Sequence, residues 1–180
     1  MQENKYHTDQ ESEICRFILE NPGCYLRSVG KRLGIAMGTT QYHLNRLEKM
    51  GVITSKKRFH RSYFPASVNL ESDKKILQII SQERTRQIIL QIIERRRPTQ
   101  IELYKHIGIP RSSIGWHLQQ LMAIDIVEEI RDGRYKRYQI AGGNSGYLCK
   151  RIICLMKNHY PSLWDQWTDR IMELFFLSQE

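Results

Sequence analysis

Between residues 38 and 50, hydrogen-bonding and cationic side chains recur at the spacing of one helical face. Thr40, Leu44 and Leu47 share the inner side of such a helix, and polar residues point outward. The outward set comprises Gly38, Tyr42, Asn45 and Lys49, flanked by Gln41 and Arg46. Amide and guanidinium groups hydrogen-bond base edges, and cations bind phosphates. The pattern indicates a helix able to sit in the major groove of duplex DNA, although an ordinary solvated helix carries similar residues.

A run of basic residues follows this helix. Residues 56–61 read KKRFHR, with five basic or potentially basic side chains in six positions. Val52-Ile53-Thr54 before the run and Arg61–Phe64 at its end carry strand-forming residues. We expect a hairpin that forms a basic wing beside the helix, suited to backbone phosphates or the minor groove.

Two earlier segments are expected to position the third helix. Glu13–Glu20 has apolar residues at helical spacing and ends before Asn21, and Leu26–Leu33 shows the same periodicity. Gly34 lies where the second helix must end and turn, a position that commonly needs positive φ. Gly51 is expected to end the third helix, which we place at 38–50.

The same pattern occurs a second time, 74 residues further along the chain. Residues 33–53 read LGIAMGTTQYHLNRLEKMGVI, and residues 107–127 read IGIPRSSIGWHLQQLMAIDIV. The second copy predicts a helix over Gln82–Arg95, a short helix capped by Thr99, a turn at Gly108 and a third helix opened by Pro110-Arg111-Ser112. Asp132-Gly133 is a two-residue hairpin signal. A repeat of this length is too long for a solenoid unit and indicates two small domains of one kind.

The two copies differ in charge. The third helix of the second copy has no Lys or Arg between Ser112 and Asp125, although Arg131, Arg134, Lys136 and Arg137 surround its hairpin. We therefore expect the first copy to be the better groove reader, and the second to bind DNA more weakly or to use Trp116 for protein contact. His43 and His117 recur at equivalent positions, which points to a shared structural or phosphate-contact role.

The candidate DNA-binding residues come from both copies. Those of the first copy are Thr39, Gln41, Tyr42, Asn45, Arg46, Lys49, Lys56, Lys57, Arg58 and Arg61. Those of the second copy are Arg111, Ser112, Ser113, Trp116, Gln119, Arg134 and Lys136.

The fold class predicted is mainly α with small β-hairpin wings: two tandem winged helix-turn-helix domains plus a C-terminal helical tail. We expect domain 1 at 1–68, a connector at 69–81, domain 2 at 82–142 and the tail at 143–180. The tail is expected to form a homodimer or to pack on its own chain, and the width of its apolar face favours the dimer. The candidate dimer residues are Leu148, Ile152, Trp164, Trp167, Ile171 and Leu174.

These motifs resemble those of archaeal transcriptional regulators that carry two winged helix-turn-helix domains in one polypeptide. The resemblance rests on the two repeated segments and covers about residues 13–140. The element YHLNRLEKMGVI is also similar to the recognition-helix end of ArsR- and MarR-like winged-helix proteins. The resemblance implies sequence-specific binding of double-stranded DNA through the third helix of each unit, with the wings on the flanking backbone.

Composition narrows the function classes. A net charge of +9 favours a polyanionic partner. The polar N-terminus predicts no secretion signal, and no apolar run reaches the roughly 18 residues of a membrane span. The four cysteines form no CxxC pair, and no catalytic motif is present, so we expect no enzyme activity, no cofactor and no metal. We expect a cytoplasmic, nucleoid-associated protein.

Two other functions stay open at the sequence level. Tandem winged helices also serve as protein-interaction subunits of transcription or chromosome machinery, so contact with basal transcription machinery is one alternative. A sequence-independent DNA-coating protein is the other, since the basic wings alone would bind any duplex.

Overall fold

The computed structural model describes residues 9–57, 60–143 and 146–161. The chain divides into two compact units, Met1–Ser81 and Gln82–Glu180. Within the described residues the protein is mainly helical with small antiparallel sheets, an architecture consistent with the winged helix.

Unit 1 contains three helices, a hairpin and a fourth helix. Its elements are α1 (Asp9–Glu20), β1 (Cys24–Tyr25), α2 (Leu26–Leu33), α3 (Met37–Lys49), β2 (Ile53–Lys57), β3 (Arg61–Pro65) and α4 (Glu71–Ile80). The strands form an antiparallel sheet in the order β1-β3-β2. The three predicted helices and the hairpin are confirmed, but α1 begins four residues earlier than expected. Asp9 and Glu11 in its first turn suit the positive end of the helix dipole.

An apolar core lies among the helices and strands of unit 1. The buried cluster consists of Ile14, Ile18, Cys24, Val29, Leu44, Leu47, Ile53 and Tyr63. The inner face predicted for the third helix is confirmed, because Thr40, Leu44 and Leu47 are all fully buried. The core therefore determines which side of α3 reaches solvent.

A tight turn joins α2 to α3. Gly34 has a φ of 68°, the left-handed conformation that its position predicted. A Cβ added at Gly30 would lie 3.0 Å from both the Ile35 carbonyl oxygen and the Thr40 hydroxyl oxygen, so the two helices approach closely here. The Thr40 hydroxyl donates to the Ala36 carbonyl oxygen at 3.0 Å. This close packing fixes the angle at which α3 leaves the turn.

The segment expected to be a connector contains α4. Leu77 of this helix is fully buried, and the Gln78 side chain donates to the Ser62 hydroxyl at 3.0 Å. The Ser81 hydroxyl donates to the Gly23 carbonyl oxygen at 3.2 Å. Gly23 has a φ of 87°, and a Cβ at this position would lie 2.7 Å from the Leu77 carbonyl oxygen. The helix thus packs on the loop that follows α1, within unit 1.

Unit 2 repeats the order of three helices and a hairpin. Its elements are α5 (Glu83–Arg95), α6 (Gln100–Ile107), α7 (Arg111–Met122), β4 (Val127–Asp132), β5 (Tyr135–Ile140) and α8 (Tyr147–His159). The predicted Thr99 cap is confirmed, because its hydroxyl accepts from the Glu102 amide while the Glu102 carboxylate accepts from the Thr99 amide. An isolated bridge between Thr99 and Arg137 lies where unit 1 pairs Tyr25 with Ser62.

The turn of the second hairpin differs from the expectation by one residue. Asp132 pairs with Tyr135, so the two loop residues are Gly133 and Arg134 rather than Asp132 and Gly133. Gly133 has a φ of 59°. Glycine at the first loop position is the signature of a type II′ turn, whose twist matches that of the flanking strands.

The helix α8 is buried on one side within unit 2. Cys149, Ile152, Leu155 and Met156 are its buried residues, and the Arg86 guanidinium lies 5.3 Å from the centre of the Tyr160 ring. Of the residues predicted to dimerise, Leu148 is half-buried and Ile152 is fully buried in the single chain. The other four, Trp164, Trp167, Ile171 and Leu174, lie outside the described residues.

The contact between Gly23 and α4 predicts an unequal response to two alanine substitutions. Gly34→Ala places a side chain at positive φ with no neighbour within 4 Å, and should lower the free energy of unfolding by about 1–2 kcal/mol. Gly23→Ala adds a clash with backbone to the same conformational cost, so its loss should be clearly larger. Urea unfolding followed by circular dichroism measures both, and equal losses would contradict the close packing of α4.

Candidate nucleic-acid interface

The exposed face of α3 carries the predicted hydrogen-bonding residues. Thr39, Asn45 and Lys49 are exposed, and 61% of the Tyr42 surface reaches solvent. Gln41 and Arg46 flank them and are half-buried. Six of the residues predicted for DNA contact are thus brought together along one helix.

A buried carboxylate connects α3 to α1. Glu11 is fully buried, and its Oε1 lies 3.1 Å from His43 Nδ1 and 3.2 Å from Arg46 Nη1. His43 Nε2 lies 3.2 Å from the side-chain oxygen of Gln10. Because a buried charge is costly without partners, these contacts resist rotation of α3 about its axis. They also draw the Arg46 guanidinium toward α1.

Sequence reasoning missed Glu11, although a signal was present. Glu11, Ile14 and Ile18 follow each other at the i, i+3, i+7 spacing of the buried stripe of α1, so a carboxylate occupies a core position. Glu11 and His43 each lie 74 residues before a residue of another polar pair, Thr85 and His117. A charged residue within an apolar stripe is the pattern that could have located this contact.

The equivalent contact in unit 2 is neutral. His117 Nδ1 lies 3.0 Å from the Thr85 hydroxyl, and burial lowers the pKa of His117. Each histidine ring also contacts the aromatic ring of the residue before it, edge to face. The ring centres are 5.3 Å apart for Tyr42 and His43 and 4.9 Å apart for Trp116 and His117. The structural role expected for the two histidines fits these positions.

Two amides on the exposed face of α3 form a hydrogen bond with each other. Gln41 Nε2 donates to Asn45 Oδ1 at 2.8 Å, across one helical turn. The bond orients the Asn45 amide before any ligand arrives. The Asn45 nitrogen, and the second lone pair of its oxygen, are the groups that this bond does not use.

The first wing is attached to α3 through Glu48. This carboxylate accepts from the Ser55 hydroxyl at 2.6 Å and from Arg61 Nη2 at 2.5 Å, and Arg61 Nε donates to the Ser55 hydroxyl at 2.8 Å. Arg61, predicted as a phosphate ligand, therefore also fixes the base of the wing against the helix.

The other wing cations have different surroundings. Lys56 pairs with Glu71 of α4, which Lys74 also approaches at 3.3 Å, and the Lys56 hydrogen bond is the main cause of the lowered pKa of Glu71. Lys57 is exposed and has no ion-pair partner among the described residues. Arg58 lies outside the described residues.

The exposed face of α7 in unit 2 is less basic. Arg111, Ser112 and Gln119 are exposed, Ser113 is half-buried, and 55% of the Trp116 surface reaches solvent. In the second hairpin, Lys136 pairs with Glu129 at 2.9 Å. The Arg134 guanidinium lies over the Tyr135 ring, 5.2 Å from its centre.

The cysteines and other metal-binding side chains are dispersed. Among the described residues no group of three His, Cys, Asp or Glu side chains could hold a metal ion, and no helix is long and apolar enough to cross a membrane. All four thiols are free; Cys24 and Cys149 are buried, and Cys154 is exposed. Burial raises the pKa of Cys24 and of Cys149 to about 12.

Comparison with known proteins adds to this geometry. Residues 8–77 match a family model described as an N-terminal HTH domain. This segment of the chain is therefore similar to a helix-turn-helix domain. A protein of Methanocaldococcus jannaschii described as an uncharacterized HTH-type transcriptional regulator is 29% identical to it over 133 residues. This match covers 73% of the chain and 33% of the relative, so the chain spans about a third of that protein's length.

Because Arg46 pairs with the buried Glu11 carboxylate, we expect Arg46 to contribute to the free energy of unfolding. Arg46→Met removes one partner of Glu11 and should lower the free energy of unfolding by about 1–3 kcal/mol. Adding Glu11→Met should recover part of the loss, because no charge then stays buried. Gln120→Met, at the equivalent position of α7, should change stability by less than about 0.5 kcal/mol. A double-mutant cycle by chemical denaturation tests the coupling, and additive effects would contradict it.

The raised thiol pKa values predict selective alkylation. At pH 8, which lies far below a pKa of about 12, Cys24 and Cys149 carry almost no thiolate and are shielded from solvent. Iodoacetamide should therefore modify Cys154 first. Mass spectrometry of the labelled peptides over time measures the rates, and modification of Cys24 or Cys149 as fast as Cys154 would contradict their burial.

Proposed function

We propose that this protein is a sequence-specific DNA-binding transcriptional regulator whose principal reader is α3 of unit 1. The observation that carries the proposal is an exposed amide and hydroxyl face on a helix whose rotation is set by a buried carboxylate. That helix lies inside the segment that matches an HTH domain. A fixed orientation matters because base contacts require donors and acceptors placed to within a fraction of a helical turn.

The dimensions of α3 suit the major groove. It has 13 residues and is about 20 Å long, and the groove of B-DNA is about 12 Å wide, enough for one helix. Recognition helices present their N-terminal residues to base edges. Thr39, Tyr42 and Asn45 would then face the bases, while Lys49 at the end of the helix would approach phosphate. Lys57 of the wing would contact the flanking backbone.

The proposal gives unit 2 an auxiliary role as a second winged helix. Its helices and hairpin follow the same order as those of unit 1, and the 133 residues similar to the archaeal regulator are more than either unit contains. Its third helix lacks cations between Ser112 and Asp125, so its electrostatic attraction to DNA would be weaker. Arg111 and Arg134 are among the exposed cations that would supplement it.

The proposal also includes a homodimer through the C-terminal helices. A twofold symmetric dimer would match the symmetric operators that helix-turn-helix proteins often bind. Leu148 is half-buried in the single chain and retains surface for such a contact, whereas Ile152 is already fully buried. Light scattering of the full chain tests this part, and a monomeric mass would remove it.

One observation favours a second function for unit 2. Trp116 is a large aromatic residue with 55% of its surface exposed, on a helix face with few charges. Exposed tryptophans are enriched at the centres of protein interfaces. A protein partner, such as a component of the transcription machinery, is therefore the alternative occupant of this face.

Selection of bound fragments from genomic DNA, followed by affinity measurements at two salt concentrations, tests the proposed function. A regulator should bind its selected fragment at least about 1,000-fold more tightly than random duplex. A DNA-coating protein would bind both equally, with a steep salt dependence. Failure to bind any duplex at low salt would leave only the protein-interaction function.

We expect substitutions of two neighbouring lysines of the first hairpin to have different effects on DNA affinity. Lys57→Ala should weaken binding to all sequences and reduce the slope of log affinity against log salt by about 0.9, the value for one phosphate contact. Lys56→Ala should reduce it less, because that ammonium already pairs with Glu71. Fluorescence anisotropy over a salt series measures both slopes. An equal loss for the two variants, or none for Lys57→Ala, would contradict this arrangement.

A further inference from the structure

We infer that α3 reads adenine through Asn45, which Gln41 positions, while Glu11 withholds from the groove the guanidinium that would read guanine. The inference rests on the proposed function, because it names the base that the same helix selects.

The Asn45 side chain offers both a hydrogen-bond acceptor and a donor. Its Oδ1 accepts one hydrogen bond, from Gln41 Nε2 at 2.8 Å, and retains a second lone pair. Its Nδ2 carries two hydrogens. The major-groove edge of adenine presents an acceptor at N7 and a donor at N6, and Asn binds both in a bidentate contact. The exposed Asn45 amide has this complementary pair of groups in adjacent positions.

Gln41 acts as a positioning residue in this scheme. An isolated surface asparagine can present its oxygen or its nitrogen by rotating the amide. In the structure the Gln41 amide presents its donor to Asn45, and in this orientation Oδ1 faces Gln41 and Nδ2 points away. Ordering the amide before binding removes an entropic cost that the complex would otherwise bear.

The second step concerns guanine. Guanine presents two acceptors in the major groove and is read most often by Arg or Lys. Arg46 flanks the exposed face, but its guanidinium lies 3.2 Å from the fully buried Glu11 carboxylate. Turning Arg46 into the groove would leave that carboxylate with fewer partners, at a cost that opposes the contact. Lys49 is the last residue of α3, one turn beyond Asn45, and its place at the helix end suits a phosphate contact.

Unit 2 provides an internal contrast. The positions equivalent to Gln41, Asn45, Arg46 and Glu11 are Gly115, Gln119, Gln120 and Thr85. Unit 2 thus lacks the amide pair and the guanidinium on its third helix, and the carboxylate on its first helix. Because unit 2 folds with the same order of elements but without these four side chains, the four are not required for the fold.

Asn45→Asp in the full chain tests adenine reading. The substituted side chain keeps an oxygen to accept from Gln41 but exchanges the donor for an acceptor, which suits the N4 donor of cytosine. The probe is the genomic duplex selected by the unaltered protein, with each base pair replaced in turn. At one position the preference should change from adenine to cytosine, with relative affinities shifting by about tenfold or more. Asn158→Asp makes the same chemical change at an exposed position of α8 and should leave the profile unchanged.

A second variant tests the role of Glu11. Glu11→Met removes one acceptor of Arg46, lowers the cost of turning its guanidinium into the groove, and should add a guanine preference at a position beside the adenine. Both readouts are ratios of affinities for one protein preparation, so partial loss of folded protein does not alter them. An Asn45→Asp profile identical to that of the unaltered protein would overturn adenine reading, and no gain of guanine in Glu11→Met would overturn the withholding of Arg46. If the unaltered protein binds DNA sequence-specifically, either of these results leaves the proposed function intact. If the unaltered protein has no base preference, both the proposed function and this inference fail.

Discussion

The buried Glu11 carboxylate fixes the rotation of α3 through its contacts with His43 and Arg46. The apolar core decides that Leu44 and Leu47 face inward, but apolar packing alone tolerates small rotations of a helix. A fully buried charge does not tolerate them, because its partners must stay within hydrogen-bond distance. His43 and Arg46 lie about one turn apart on α3, so their contacts with Glu11 set the direction in which the exposed face of the helix points.

The two units show how one backbone pattern accommodates different chemistry. Gly51, which follows α3 with a φ of 72°, is replaced in unit 2 by Asp125 with a φ of 59°. Aspartate is among the few residues that adopt this conformation at modest cost, so the backbone turn persists while the residue changes. The helix-to-helix polar contact persists in the same way, with Thr85 in place of Glu11. What differs between the units is the charge and hydrogen-bonding capacity of the third helix.

The sequence predicted the helices and hairpins because their signals are local. Apolar periodicity located α2 at Leu26–Leu33, and the turn glycine at position 34 has the expected positive φ. It did not predict β1, a strand of two residues that exists only because it pairs with residues of β3 that lie 37 and 39 positions further along the chain. Nor did it predict that Arg46, Lys56 and Arg61 pair with carboxylates of their own unit. Ion pairs of this kind depend on tertiary distances, so a count of basic residues overstates the charge available to DNA.

Oxidative footprinting of Tyr42 and Trp116 in the presence of DNA distinguishes α3 of unit 1, the proposed principal reader, from the equivalent helix α7. The two aromatic residues occupy equivalent positions of the repeat, and they expose 61% and 55% of their surfaces. Hydroxyl-radical oxidation of the full chain, with and without its selected duplex, gives a protection factor for each. If α3 of unit 1 is the principal reader, Tyr42 should be strongly protected and Trp116 more weakly. Protection of Trp116 with Tyr42 left as reactive as in the absence of DNA would contradict it.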